Sequence, residues 1–96
     1  MNRDLIDIIR KETPIADRYA QLAEEYIEAG HAALKMARII RGVSPTNVLM
    51  EDAIAALSEE MADVRACLAV IGLSEDEYTE RMTDSKLARW AERLKT

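Results

Sequence analysis

A chain of 96 residues, 49% apolar and 32% charged, with only three Gly and two Pro, reads as one soluble helical domain spanning 1–96 with a thin core. The formal charge of −5 argues against nucleic acid as the main partner, and the longest apolar run, 66–73, is far too short to span a membrane. Cys67 is the single cysteine, so no intrachain disulfide forms. The first residues turn acidic too early for a signal peptide, and the cytoplasm is the expected location.

The charge is unevenly spread. Residues 1–50 balance seven basic against seven acidic side chains. Residues 51–80 carry one basic and nine acidic side chains, whereas 81–96 carry five basic and two acidic. The basic end is too short and too mixed for a nucleic-acid arm, but it suits contact with the phosphates of a smaller ligand.

The first predicted element is a short amphipathic helix over 3–10, apolar at Leu5, Ile6, Ile8 and Ile9. Thr13-Pro14 breaks the chain and opens a long helix over 15–41, with Tyr19, Ala20, Ala23, Ile27, Leu34, Ala37 and Ile40 at helical spacing. Gly42 fits its C-terminal cap, and 43–47 is the clearest loop. A second long helix is predicted over 48–71. Met50, Ile54, Leu57, Met61, Val64, Leu68 and Ile71 alternate steps of four and three, a seam for another helix. Gly72 ends that helix. Ser74, with Glu75 and Glu77, marks the start of a more polar one over 75–95, which Met82, Leu87, Trp90 and Leu94 would dock.

Each long helix carries an acidic cluster, Glu24-Glu25-Tyr26-Ile27-Glu28 and Glu59-Glu60-Met61-Ala62-Asp63. Carboxylates three or four apart share a helix face and repel one another, so a divalent cation is their natural counterion. Oxygen-only ligands favour a hard cation such as Mg²⁺, and Mg²⁺ favours a phosphate substrate. On the second long helix, Glu60 and Asp63 interrupt the row Ala53, Ala56, Cys67, Val70, which otherwise reads as buried. The competing reading is a solvated rim beside the seam. Lys86, Arg89 and Arg93 lie on one face of the last helix, either as a clamp on phosphates or as a basic surface balancing the acidic body. Lys35, two turns beyond Glu28, reaches a phosphate or pairs with Glu28.

Glu-Glu-x-x-Glu followed on the next helix by Glu-x-x-Asp resembles the all-alpha nucleoside triphosphate pyrophosphohydrolases, the MazG-like group. The resemblance spans about 16–93 and includes QLAEEYIEAGHAALK, ALSEEMADV and the tail KLARWAERL. The spacing departs from the family pattern, because thirty-one residues separate Glu28 from Glu60, the excess lying around 43–47. The resemblance implies Glu25, Glu28, Glu60 and Asp63 as Mg²⁺ ligands. It also implies hydrolysis of a nucleoside triphosphate between the α and β phosphates, releasing monophosphate and pyrophosphate. A carboxylate not engaged by metal would orient or deprotonate the attacking water, a role open to Glu24 or Glu59. A housekeeping or phage-encoded nucleotide-pool enzyme is compatible with this reading.

The expected architecture is all-α: two long antiparallel helices with short N-terminal and C-terminal helices. One hairpin cannot cover its own apolar stripes, so a homodimer, or a dimer of dimers, is expected to complete a four-helix-bundle core. Two rivals stand beside the enzyme. Glu28-x-x-His31 resembles a di-iron ligand pair, so a symmetric dimer could form a ferritin-like iron site. A helical interaction module without chemistry is the other. Trp90, Tyr19 and Tyr26 serve either a nucleobase or apolar packing. No Gly-rich phosphate loop and no zinc-ligand spacing occurs, and no base is arranged around Ser58 or Cys67.

Overall fold

The computed structural model describes residues 2–42, 49–73 and 77–95. These form four helices, α1 (Arg3–Glu12), α2 (Ile15–Arg41), α3 (Met50–Ile71) and α4 (Glu77–Leu94), with no strand among the described residues. The loop expected at 43–47 and the helix start expected at Ser74 lie outside the described residues.

Each boundary has a local cause. The Asn2 side chain accepts a hydrogen bond from the Leu5 N–H at 3.2 Å and caps α1. Helix α1 runs two residues past the predicted end, to Glu12, because the first obstacle is Pro14, which pushes Thr13 into extended backbone. Pro14 then sits before the first turn of α2, where its missing N–H costs nothing. Gly42 and Gly72 end α2 and α3 with φ of 72° and 91°, the left-handed conformation that glycine adopts without a Cβ penalty.

Helices α2 and α3 pack along each other, and α1 lies against α3. Leu22, Ala29 and Val64 form the buried centre, with Cys67, Leu68 and Ile71 packed on it. The inward row of α2 is Arg18, Leu22, Glu25, Ala29, Ala32, Met36, Ile39, and that of α3 is Ala53, Leu57, Glu60, Val64, Cys67, Ile71. Both rows step by four and three, as a helix-on-helix seam requires. Small residues at Ala29 and Ala53 permit close approach. One glutamate interrupts each row, Glu25 on α2 and Glu60 on α3.

The expected stripe of α2 is not this row. Tyr19, Ile27, Leu34 and Ile40 are exposed, and so are Met50, Ile54 and Met61 of the expected α3 seam. Of that seam, Leu57, Val64, Leu68 and Ile71 turn toward α2. Both long helices therefore have two apolar faces, one spent within the chain and one left outward. The expected docking of α4 is not seen: every residue from Thr79 to Lys95 is exposed. The radius of gyration, 16.9 Å, exceeds the roughly 12.5 Å of a compact domain of this length. Among the described residues no helix is long and apolar enough to cross a membrane.

Two arginines lock the corner between the first three helices. Arg10 donates from Nε to the Val70 carbonyl at 2.6 Å and from Nη2 to the Ala69 carbonyl at 3.1 Å. The last turn of α3 has no basic residue of its own, so α1 supplies the cation that its unpaired carbonyls and dipole favour. Arg18 donates to the Thr13 hydroxyl at 3.0 Å, to the Thr13 carbonyl at 2.7 Å, and to the Arg10 carbonyl. These bonds fix the turn at Pro14 and hold α1 over the end of α3.

Candidate metal centre

The two seam glutamates meet. Carboxylate oxygens of Glu25, Glu60 and Asp63 lie within 4.8 Å of one another, with Glu25 and Glu60 partly buried and Asp63 exposed at the rim. Glu28, exposed one turn beyond Glu25, stands outside this close group, though its charge acts on Glu60. Three of the four acids expected as metal ligands are therefore brought to one place by the pairing of α2 with α3. A seam position normally holds a hydrophobe, so a carboxylate there loses water without gaining an apolar contact.

Their hydrogen bonding is incomplete in an informative way. Gln21, one turn before Glu25 on the same face, donates from Nε2 to Glu25 Oε1 at 2.8 Å. The other oxygen, Glu25 Oε2, is buried with no hydrogen-bond partner, and so is Glu60 Oε2. Among the described residues no Lys or Arg forms an ion pair with any of the four acids. The Glu60 carboxyl is held above the ordinary glutamate range, first by burial, then by the charges of Glu28, Asp63 and Glu25. Burial likewise raises the Cys67 thiol, with the charges of Glu25 and Asp63 adding to it. Cys67 is thus a protonated thiol and a poor nucleophile.

The donor set suits a hard divalent cation. All the donors are oxygen, two oxygens are desolvated and unpartnered, and like charges are gathered without a counterion. His31 is exposed and stands outside the carboxylate group, so an imidazole ligand is not part of this arrangement.

The other expected site residues are placed differently. Glu24 and Glu59 are exposed next to Glu25 and Glu60 and outside the close group. Lys35 is exposed on α2, about 10 Å along the axis from Glu28. Lys86, Arg89 and Arg93 share an open face of α4 with Leu87 and Trp90, and α4 does not pack along α2 or α3. A cavity of about 290 Å³ is lined by Ile9, Thr13, Arg18, Cys67, Val70 and Gln21, the residue bonded to Glu25. Sequence reasoning overlooked Gln21 and this cavity. The i, i+4 relation of Gln21 to Glu25 was available as a signal; the cavity was not, because it needs the Pro14 corner that brings α1 over α3. Comparison with known protein families, with curated proteins and with solved structures finds no match for this chain.

Proposed function

We propose that this chain hydrolyses a nucleoside or deoxynucleoside triphosphate to monophosphate and pyrophosphate, with Mg²⁺ held by Glu25, Glu28, Glu60 and Asp63. The observation that carries the reading is the convergence of Glu25, Glu60 and Asp63 within 4.8 Å, with a buried, unpartnered oxygen on each seam glutamate. When bound, Mg²⁺ neutralises phosphate oxygens and stabilises the charge that develops on them.

The chain's own residues do the rest. Gln21 holds Glu25 in place through its 2.8 Å hydrogen bond. Glu24 or Glu59, on the solvent side of the ligands, is the carboxylate that orients or deprotonates the attacking water. Lys35, Lys86, Arg89 and Arg93 take phosphate oxygens not covered by metal. The cavity of about 290 Å³ beside Gln21 and Cys67 is near the lower limit for a small-ligand site and is the seat for the rest of the nucleotide. In this reading α2 and α3 run antiparallel, and the outward stripes of Tyr19, Ile27, Leu34, Ile54 and Met61 meet in a homodimer or a dimer of dimers. A cytoplasmic setting matches a single protonated thiol.

The test is a panel of natural and modified triphosphates with Mg²⁺, followed by pyrophosphate release. Turnover is expected to need the metal and to vanish in Glu60→Gln and Asp63→Asn with helical content unchanged. Full turnover in both variants would overturn the ligand assignment. Bound iron with ferroxidase activity and no pyrophosphate would point to the ferritin-like alternative. No Mg²⁺-dependent thermal shift and no turnover would point to a non-catalytic interaction module.

A further inference from the structure

We propose that the cavity between α1, α2 and α3 reads the nucleobase through Asp17 and Gln21, and that it selects bases with an exocyclic amino group, cytosine and adenine, over their keto counterparts, uracil and hypoxanthine. At about 290 Å³ the cavity holds one end of a nucleotide rather than the whole. Asp17, Gln21 and Glu25 follow one another at steps of four on α2, so they share a face. The row runs roughly 12 Å along the axis, from the carboxylate group into the lining of the cavity. This inference rests on the proposed hydrolase, which puts the phosphates at Glu25 and leaves the base to Gln21 and Asp17.

The strong donors that line the cavity are already committed to the fold. Arg18 donates from Nε to the Thr13 hydroxyl at 3.0 Å and from Nη2 to the Thr13 and Arg10 carbonyls. The Thr13 hydroxyl donates in turn to the Ile9 carbonyl at 2.7 Å. Gln21 Nε2 donates to Glu25 Oε1, and because an ionised carboxylate only accepts, that bond fixes which way the amide lies. What stays open is acceptor: the Gln21 amide oxygen and the Asp17 carboxylate, which has no hydrogen bond or ion pair among the described residues. Ile9, Ala66 and Val70 supply apolar wall for the ring.

The amino groups of cytosine and adenine donate. At the same ring position uracil and hypoxanthine present a carbonyl oxygen. Against a carboxylate, that change replaces a charge-assisted hydrogen bond by two facing acceptors. A hydrogen bond to a charged group is worth roughly tenfold or more in affinity. Asp17 also sits in the first turn of α2, where a negative charge suits the helix dipole. That role acts on stability alike for every nucleotide and leaves a base preference untouched.

The full chain with Mg²⁺ is assayed for pyrophosphate release with CTP against UTP and ATP against ITP. The same pairs, as uncleavable α,β-imido analogues, are titrated by calorimetry. We expect the amino member of each pair to show a KM and a dissociation constant lower by roughly tenfold or more, with similar kcat. Asp17→Ala is expected to weaken CTP and leave UTP unchanged. Asp17→Asn, whose amide also donates, is expected to improve UTP, with circular dichroism unchanged in both variants. Equal affinities within either pair, a preference for the keto member, or a preference that survives both substitutions would overturn the inference. Binding with the expected preference but no pyrophosphate release would overturn hydrolysis alone. Turnover without preference would overturn the base reading alone, and no binding of any triphosphate would overturn both.

Discussion

The inner faces of α2 and α3 and the apolar face of α4 are both helical stripes in the sequence, yet they end in opposite environments. Val64, at the centre of the first, is 3% exposed, and Trp90, at the centre of the second, is 58% exposed. Helical periodicity says that a face needs cover; it does not say which surface supplies it. Between α2 and α3 the cover is local, because Ala29 and Ala53 let two long rods approach. Helix α4 has bulky side chains next to charged ones and finds no such groove among the described residues of its own chain.

The contrast is sharpest in stability. Leu22→Ala, in the buried centre, is expected to cost about 2–3 kcal/mol in chemical denaturation. Leu87→Ala on α4 is expected to change the dilute chain by less than about 0.5 kcal/mol. Comparable losses at the two sites would break the contrast.

Next in size is Arg10→Ala. It removes both side-chain bonds to the end of α3, charge-assisted and partly buried, and is expected to cost about 1.5–3 kcal/mol. Amide exchange should quicken in the last turn of α3 and remain unchanged in α4. Gly72→Ala should cost about 1–2 kcal/mol, since φ is 91° there and the new Cβ would lie 3.3 Å from Arg10 Nη2. Gly42→Ala meets no neighbour within 4 Å and bears only the left-handed backbone cost. Equal losses at the two glycines would show that the arginine contact is unimportant.

The smallest expected effect has an unusual sign. Glu60 titrates above its ordinary value when folded. Between the unfolded and folded values the folded chain holds more protons than the unfolded one, so stability falls as pH rises through that window. In EDTA, acidifying from neutral pH into the carboxylate range should raise Tm. Glu60→Gln should raise Tm at neutral pH, flatten this pH response and remove stabilisation by Mg²⁺. Parallel Tm profiles for the wild type and the variant would show that the carboxylates do not interact.

Much of the fold was legible because the punctuation is strong. Pro14 and Gly42 set α2 to the residue, and Gly72 sets the end of α3. The buried row of α3 was legible in part, since Ala53, Cys67 and Val70 framed Glu60 and Asp63. The inward face of α2 was not: Tyr19, Ile27 and Leu34 are larger than Ala29 and Ala32 and dominate the apolar pattern, whereas close packing selects the small ones. The corner bonds of Arg10 and Arg18 connect residues up to 60 apart in sequence, a separation no local pattern encodes. The acidic meeting point could be read only as two halves, and helix pairing joined them.

Arg10 also has a consequence for assembly order. The final turn of α3 waits for a side chain sixty residues upstream before its carbonyls are satisfied. Gly72, which redirects the chain away from that turn, sits under the same guanidinium. Loosening the first helix would thus strip the Ala69 and Val70 carbonyls of their side-chain donor, so a change near residue 10 is felt at the far end of α3.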